Sequence, residues 1–330
     1  MVSIFRQKSP GNLVVLFFFG LMLKLPLFLW PKTVTATQND EDFYQWLIQG
    51  INSLGPGKAM LCSFAAFLLL YIQAIMLNYL VNEYRLMPKP TYLPAMAYLL
   101  LTSLLPEWTY LSSPLVATTF VLWAFIKLLH LYNTDNARGP VFNIGLLLGI
   151  ASYFYFPSAC FLLCILLGMI ILKPFRLNEA VLFLVGCLTP YYFMITILYL
   201  TDKLSIAAFF PHISVHTPAV KSTVWLAVSI LLLALPFLAG GFFVQSHLHK
   251  MLIQVRKSWS ILLFYLLLAF FVPFVNTNSS FNNWILLVVP FACFHAGTYF
   301  YTVKKWIPNV LLFLTTGYIF YLQYGTLLWR

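Results

Sequence analysis

Long apolar runs separated by short polar gaps dominate the chain. A run of about 20 apolar residues can cross the roughly 30 Å hydrocarbon core of a bilayer as an α-helix. By this measure the sequence predicts eleven spans, at 12–30, 59–81, 92–105, 114–132, 142–156, 158–172, 179–201, 223–245, 259–275, 283–302 and 308–328. The gaps leave no room for a sizeable soluble domain. We therefore expect a single all-α membrane domain over residues 1–330, a polytopic transmembrane helical bundle.

Lysine and arginine alternate between the gaps, and this alternation predicts an orientation. With the N-terminus in the cytoplasm, thirteen of the nineteen Lys and Arg residues fall in or beside inside segments, five fall outside, and Lys24 lies within the first span. Short loops that carry Lys and Arg stay on the cytoplasmic side during insertion. We therefore expect the N-terminus inside and the C-terminus outside.

Composition agrees with this interpretation and excludes other classes. Hydrophobic residues make up 62% of the 330 residues, charged residues make up 8%, and the mean hydropathy is +0.88. A soluble domain is near one quarter charged. We attribute the net charge of +11 to topology and to contact with anionic headgroups of membrane lipids. No loop is long enough for a basic nucleic-acid-binding domain, so we expect a multi-pass protein of a bacterial inner membrane.

Three of the predicted spans are short. They hold about fifteen residues each and extend over roughly 22 Å, at 92–105, 142–156 and 158–172. Only Pro157 separates the last two, which predicts a helical hairpin whose tip lies below the outer surface. Such a tip is tolerated where it is buried in protein or lines a cavity. Gly145 and Gly149 are four residues apart, a spacing typical of close helix packing.

The first outside loop, residues 31–58, carries three of the eight acidic residues in a row. These are Asp40, Glu41 and Asp42. Apolar residues follow them at helical spacing, namely Phe43, Trp46, Leu47 and Ile51. We expect 41–53 to form a short interfacial helix on the outer surface, with Asn39 or Asp40 as its N-cap. The acids either only cap and solvate this helix or act as a general base or metal carboxylate.

The first outer loop also carries a resemblance. A first span is followed by Asp40-Glu41-Asp42-Phe43-Tyr44 and then by an amphipathic segment that leads to Gly50 and Gly55. This order resembles the first outer loop of GT-C glycosyltransferases, the polyprenyl-phosphate-sugar-dependent kind related to protein mannosyltransferases and lipid A aminoarabinose transferases. The short spans after Asn143-Ile144-Gly145 and the many-span layout are similar as well, and the likeness extends over about residues 1–200. The whole chain is also similar to an uncharacterised bacterial family of multi-pass inner-membrane proteins.

The GT-C resemblance implies roles for particular residues. An acid of the motif is the expected catalytic base, which makes Asp40, Glu41 and Asp42 candidates and places Tyr44 beside the donor. Many relatives carry a second Asp in the next outer loop, where Glu107 is the nearest acid of this chain. The implied donor is a polyprenyl-phosphate-linked sugar, and a divalent metal ion is a candidate cofactor.

Cations near the first outer loop are candidates for binding the donor phosphate. Lys24 is the clear intramembrane cation, and it either meets that phosphate or snorkels toward the outer headgroups. Lys32 and Lys58 flank the loop. His212 and His216 lie four residues apart in a later outside loop, where they are either metal ligands or part of a polar loop wall.

Two classes of function remain from the sequence. The favoured function is a GT-C-like membrane glycosyltransferase that moves a sugar from a polyprenyl-phosphate donor to an envelope glycan or lipid on the outer face. The alternative is a non-enzymatic multi-pass subunit that scaffolds an envelope-assembly or export complex. An enzyme requires a cavity that opens toward lipid, whereas a scaffold permits a solid bundle. A transporter is disfavoured because intramembrane charge is scarce and no repeat is visible.

Overall fold

The chain folds into a bundle of α-helices. The computed structural model describes residues 2–7, 9–34, 41–53, 55, 57–134, 137–174, 176–202, 224–275, 280–304 and 306–325. Helix accounts for 84% of the structure, and the described part contains no strand. The helices are α1 (Val2–Phe5), α2 (Pro10–Leu29), α3 (Asp42–Asn52), α4 (Lys58–Glu83), α5 (Leu93–Leu101), α6 (Ser113–Leu129), α7 (Arg138–Phe154), α8 (Phe161–Leu172), α9 (Leu177–Leu200), α10 (Val224–His247), α11 (Ile253–Phe271), α12 (Val288–Tyr301) and α13 (Trp306–Phe320).

Each of the eleven apolar runs contains one of these helices. Six helical segments of the described chain are long and apolar enough to cross a membrane: Pro10–Leu29, Lys58–Glu83, Leu177–Leu200, Val224–Lys250, Ile253–Val275 and Phe281–Tyr301. The remaining runs form the shorter helices α5, α6, α7, α8 and α13. These helices confirm the prediction of an all-helical membrane protein, while the number of spans stays a prediction.

Helix α5 differs from its neighbours in length and burial. It has nine residues, which corresponds to about 14 Å at the α-helical rise. All nine are buried, and α5 packs against α2, α4 and α12. The chain leaves this helix at Thr102 and continues irregularly to Ser112, except for a 3₁₀ turn at Pro106–Thr109. The third apolar run is therefore a short central helix followed by irregular backbone.

The expected hairpin of α7 and α8 is wrong. A 3₁₀ turn, Phe156–Cys160, separates the two helices, and they do not pack along each other. Helix α7 lies against α6 and α9, whereas α8 lies against α11 and α6. The α7–α9 contact is close, since a Cβ added at Gly145 would lie 2.2 Å from the carbonyl oxygen of Phe183. The prediction of glycine-mediated packing is confirmed, with α9 as the partner.

The short helix predicted over 41–53 is present as α3, and its interfacial position stays a prediction. Tyr44 and Ile48 are buried, while Trp46 is 67% exposed and stacks on the ring of Phe43. The N-cap position is Glu41, with extended backbone, while the predicted caps Asn39 and Asp40 lie outside the described residues. The interior contacts of α3 are made with α4 and α7, and these contacts determine which face is buried.

Hydrogen bonds near helix ends fall into two groups. One group joins segments that the charge pattern places inside, and the other joins segments that it places outside. In the predicted inside group, Arg6 donates to Tyr299 O at 2.8 Å and Tyr92 N donates to Phe5 O at 2.8 Å. In the predicted outside group, Trp108 Nε1 donates to Phe281 O at 2.8 Å. A second outside bond runs from Gln323 Nε2 to Ser103 O at 3.1 Å, and a third from Tyr44 OH to Leu111 O at 3.2 Å. The predicted loops thus gather at two separate regions of the bundle.

Candidate functional site

Lys24 is buried in protein at the end of α5. Its side chain is 1% exposed, and Nζ donates a hydrogen bond to Thr102 O at 2.8 Å. Thr102 is the C-cap of α5, where the last carbonyl groups lack partners within the helix and carry partial negative charge. The ammonium group therefore caps a short helix. Snorkelling would extend the ammonium group out to the surface of the protein, whereas the Lys24 side chain is enclosed by protein and bonded to a buried carbonyl.

Lys24 also lines a cavity of about 360 Å³. We call it the lysine cavity. It lies between α2, the segment that follows α5, and the turn that follows α13, and its lining residues are Lys24, Pro26, Leu27, Trp30, Lys32, Pro106, Thr109, Tyr110, Leu322 and Gln323. Trp30 and Lys32 are exposed at its surface side. No acidic side chain of the described residues lines this cavity, so its electrostatic potential favours an anion.

The second lysine is held by an aromatic ring. Lys32 Nζ lies 4.9 Å from the centroid of the Tyr110 ring, within the range of a cation–π interaction. Tyr110 follows the Pro106–Thr109 turn. The turn thus orients one lysine, and Thr102 at the end of α5 holds the other. An ammonium group has three donors, and the carbonyl of Thr102 is the one hydrogen-bond partner of Lys24 among the described residues.

Glu107 lies in the turn that forms one wall of the lysine cavity. Pro106 and Thr109 of this turn line the cavity. Glu107 itself is exposed, yet the surrounding protein desolvates its carboxyl enough to raise its pKa. A carboxyl with a raised pKa in a turn that lines a cationic cavity is a candidate general base, because such a base is most effective with a pKa nearer to neutrality.

The structure places the other predicted acids elsewhere or leaves them outside its described part. Glu41 precedes α3 and lies close enough to Tyr191 of α9 for an electrostatic interaction. Tyr191 OH in turn donates to Ser152 Oγ at 2.9 Å. Glu41 is not part of the lysine cavity. Asp40 lies outside the described residues, and Asp42 begins α3 with a side chain outside the described part.

Of the predicted donor-binding residues, Lys24 and Lys32 line the lysine cavity, while Tyr44 and Lys58 do not. Tyr44 is buried, and its hydroxyl attaches α3 to the segment before α6 through Leu111 O. Lys58 begins α4. Tyr44 and Lys58 therefore lie outside the lining of the lysine cavity.

No metal centre is found in the described part of the chain, where no three His, Cys, Asp or Glu side chains come together as ligands. The candidate ligands His212 and His216 lie outside the described residues. The buried His295 of α12 has a structural partner, since its Nε2 lies 2.8 Å from Leu233 O of α10. Leu233 precedes Pro236, which interrupts the hydrogen bonding of α10.

A second cavity lies on the other side of the segment that follows α5. It has about 340 Å³ and an entirely apolar accessible surface, and we call it the apolar cavity. Its lining residues are Leu104, Leu105, Trp108, Leu226, Ser229, Ile230, Leu233, Phe270, Phe281, Trp284, Leu287 and Phe291. Residues 104–110 thus form a wall that the two cavities share, and neighbouring residues of this wall line different cavities.

Sequence reasoning missed Thr102, Tyr110 and Gln323 as parts of the site. The usable signal was the shortness of the third apolar run, because a helix that ends within the bundle leaves carbonyl groups that need a partner. Comparison with known proteins finds no matching family model, no matching curated protein and no matching solved structure. The two cavities and their shared wall are therefore the features of the molecule that bear on function.

Proposed function

We propose that this protein is a GT-C-like membrane glycosyltransferase that binds the phosphate group of a polyprenyl-phosphate-linked sugar in the lysine cavity. The observation that carries the proposal is the pairing of buried Lys24 with Lys32 in a cavity without an acidic lining residue in the described chain. A hydrogen bond to a charged group contributes about 1.5–3 kcal/mol. Two such lysines give a lipid-linked phosphate a preferred place at the outer end of the bundle.

Glu107 acts as the base in this proposal. A hydroxyl oxygen of the acceptor forms a bond to the anomeric carbon of the sugar, and its proton passes to the Glu107 carboxylate. The bond between the anomeric carbon and the phosphate oxygen breaks, and its electron pair leaves with the phosphate. Lys24 and Lys32 stabilise the negative charge on that leaving group. Among the described acids, Glu107 is favoured over Glu41 because its turn lines the cavity.

The orientation is part of the proposal. Eleven spans with the N-terminus inside and the C-terminus outside place the lysine cavity on the outer face of a bacterial inner membrane. The two groups of hydrogen bonds near helix ends support the alternation of loops between two sides, since neither group mixes predicted inside and outside segments, and the Lys and Arg bias supports the choice of the inside. A single cysteine at Ser280 is expected to react with an impermeant maleimide from outside, and one at Lys89 only after permeabilisation. The reverse pattern would invert the orientation.

The transfer reaction is tested with Glu107→Gln in membranes that contain a polyprenyl-phosphate-linked sugar. Loss of a general base typically lowers the rate about 10²–10⁴-fold, while binding of polyprenyl phosphate should persist because both lysines remain. The double variant Asp40→Asn with Glu41→Gln is the comparison, and we expect it to retain transfer. If this double variant abolishes transfer and Glu107→Gln does not, the base lies in the first outer loop. If neither variant has an effect and both restore a deletion strain fully, the scaffold alternative replaces the enzyme.

A further inference from the structure

Residues 104–110 form the wall between the two cavities, and some of them line one cavity while their neighbours line the other. Pro106, Thr109 and Tyr110 line the lysine cavity, whereas Leu104, Leu105 and Trp108 line the apolar cavity. Trp108 is fixed in the wall by its hydrogen bond to Phe281 O. Glu107 therefore lies in a turn that borders both cavities, and a ligand in the apolar cavity is close to the same turn as an anion in the lysine cavity.

The apolar cavity is built for hydrocarbon. Among the described residues that line it, the one with a hydroxyl, amide or charged side chain is Ser229, whose hydroxyl already has partners in Trp225 O at 3.0 Å and Tyr318 OH at 2.9 Å. Water does not occupy such a cavity stably, because a buried water needs two to four polar partners. On the rim, Ile230 of α10 and Phe270 of α11 are exposed, and both belong to membrane-spanning candidates. The cavity is thus accessible from the hydrocarbon of the bilayer.

We propose that the apolar cavity binds a hydrocarbon chain of the acceptor, and that the acceptor is therefore a lipid. A chain moving from the bilayer gains no hydrophobic free energy, but it supplies dispersion contacts that an empty cavity lacks. With its chain in this cavity, the lipid presents its headgroup hydroxyl near Glu107, opposite the phosphate of the donor. The assignment as acceptor rests on the proposed transferase function, while occupancy of the cavity by a lipid chain does not.

Occupancy is tested by fluorescence quenching with phosphatidylcholine that carries a brominated acyl chain. The full-length chain is reconstituted in nanodiscs as three single-tryptophan proteins, with Phe at the other Trp positions. Trp123 is exposed on α6 and reports contact with bulk lipid, whereas Trp259 is buried and bonded to Leu86 O. Trp108 is buried as well. We expect Trp108 to be quenched nearly as strongly as Trp123, with Trp259 unaffected. Quenching of Trp108 no stronger than that of Trp259 overturns the proposal.

A filling substitution links occupancy to transfer. Leu233→Phe adds volume inside the cavity, and Leu231→Phe adds the same volume on an exposed position of α10. We expect Leu233→Phe to reduce the quenching of Trp108 and to lower transfer to a long-chain lipid acceptor at least tenfold. Leu231→Phe should change neither. If quenching falls but transfer is unchanged, the chain belongs to solvating lipid and the acceptor assignment is wrong.

The lysine cavity is probed separately. Lys24→Met should weaken binding of polyprenyl phosphate about 10- to 100-fold and leave the quenching of Trp108 intact. If the wild-type protein does not bind polyprenyl phosphate, the proposed transferase function is wrong, but the binding of a lipid chain in the apolar cavity is not affected. If Trp108 is not quenched in the wild-type protein, the proposal of a lipid acceptor is wrong, but the phosphate site is not affected.

Discussion

Cations at opposite ends of the bundle make the same hydrogen bond in different surroundings. At the predicted inside end, Arg6 donates to Tyr299 O near the end of α12, and Lys257 donates to Leu172 O at the end of α8. At the predicted outside end, Lys24 donates to Thr102 O after α5. All three bonds satisfy carbonyl groups at helix C-termini, as cations commonly do.

The comparison shows which observation bears on function. Because carbonyl capping recurs at both ends, the bond from Lys24 to Thr102 alone would assign nothing beyond stability. Lys24 in addition lines a sizeable cavity that it shares with a second lysine. The functional proposal therefore depends on the lysine cavity, and the predictions below ask whether the two ends respond differently to the same chemical change.

The largest effect is expected for Lys24→Met. Binding of polyprenyl phosphate should weaken about 10- to 100-fold, because a hydrogen bond to a charged group is lost. The unfolding temperature should not fall, since Met fills a similar volume and removes the desolvation cost of a buried ammonium. Titration of labelled polyprenyl phosphate and thermal unfolding in detergent measure the two quantities. Lys58→Met, outside the cavity, is the control. If the variant is less stable but binds polyprenyl phosphate as well as the wild type, Lys24 only stabilises the end of α5, as Arg6 stabilises the end of α12.

The inside end should show the opposite pattern. Arg6→Met removes a charge-assisted bond and leaves Tyr299 O without this partner, which lowers the free energy of unfolding by about 1–3 kcal/mol. Binding of polyprenyl phosphate should be unchanged. Thermal unfolding measures the loss of stability, with Lys304→Met as the control because Lys304 is an exposed cation at the same end. Weaker phosphate binding in Arg6→Met would show that the two ends are coupled.

A smaller effect is expected for Lys32→Met. This lysine is exposed, and its interaction with the Tyr110 ring contributes about 0.5–1 kcal/mol. Phosphate binding should weaken about two- to fivefold and lose part of its dependence on ionic strength. Titrations at low and high salt measure both changes. An effect as large as that of Lys24→Met would mean that the exposed lysine carries the phosphate charge.

The smallest effect concerns pH. Partial burial raises the pKa of Glu107, so the folded chain binds this proton more tightly than the unfolded chain. The resulting contribution to stability is complete below the unfolded pKa and is lost as pH rises through the folded pKa. The transfer rate, by contrast, should rise over the same interval as the carboxylate forms. Glu107→Gln should remove the acidic limb of the pH–rate profile. If the acidic limb of the pH–rate profile is unchanged in Glu107→Gln, another acid is the base.

The sequence was sufficient for the helices but not for the cavities. Apolar runs locate helices because each helix satisfies its own backbone in lipid, and every predicted run contains one. The eleven spans and the orientation stay predictions. The burial of Tyr44 and Ile48 in α3 could not be predicted, because it depends on tertiary contacts with α4 and α7.

The lysine cavity was only half predictable. A lone intramembrane cation marks Lys24, and Lys32 follows it in the next polar gap. Nothing in the local pattern connects either with Gln323, which lies about three hundred positions further along the chain and donates to Ser103 O. The separation of Glu41 from the cavity has the same origin, since it depends on how α3 packs on α7.

The shortness of α5 has a consequence for biogenesis. Nine residues cannot insert into a bilayer as an independent span, and α12, one of the partners that buries α5, is synthesised nearly two hundred residues later. The side of α5 that packs on α12 is therefore covered only after most of the chain has left the ribosome. Nascent chains arrested before Val288 should leave the segment around Thr102 open to proteolysis, whereas chains that include α12 should protect it.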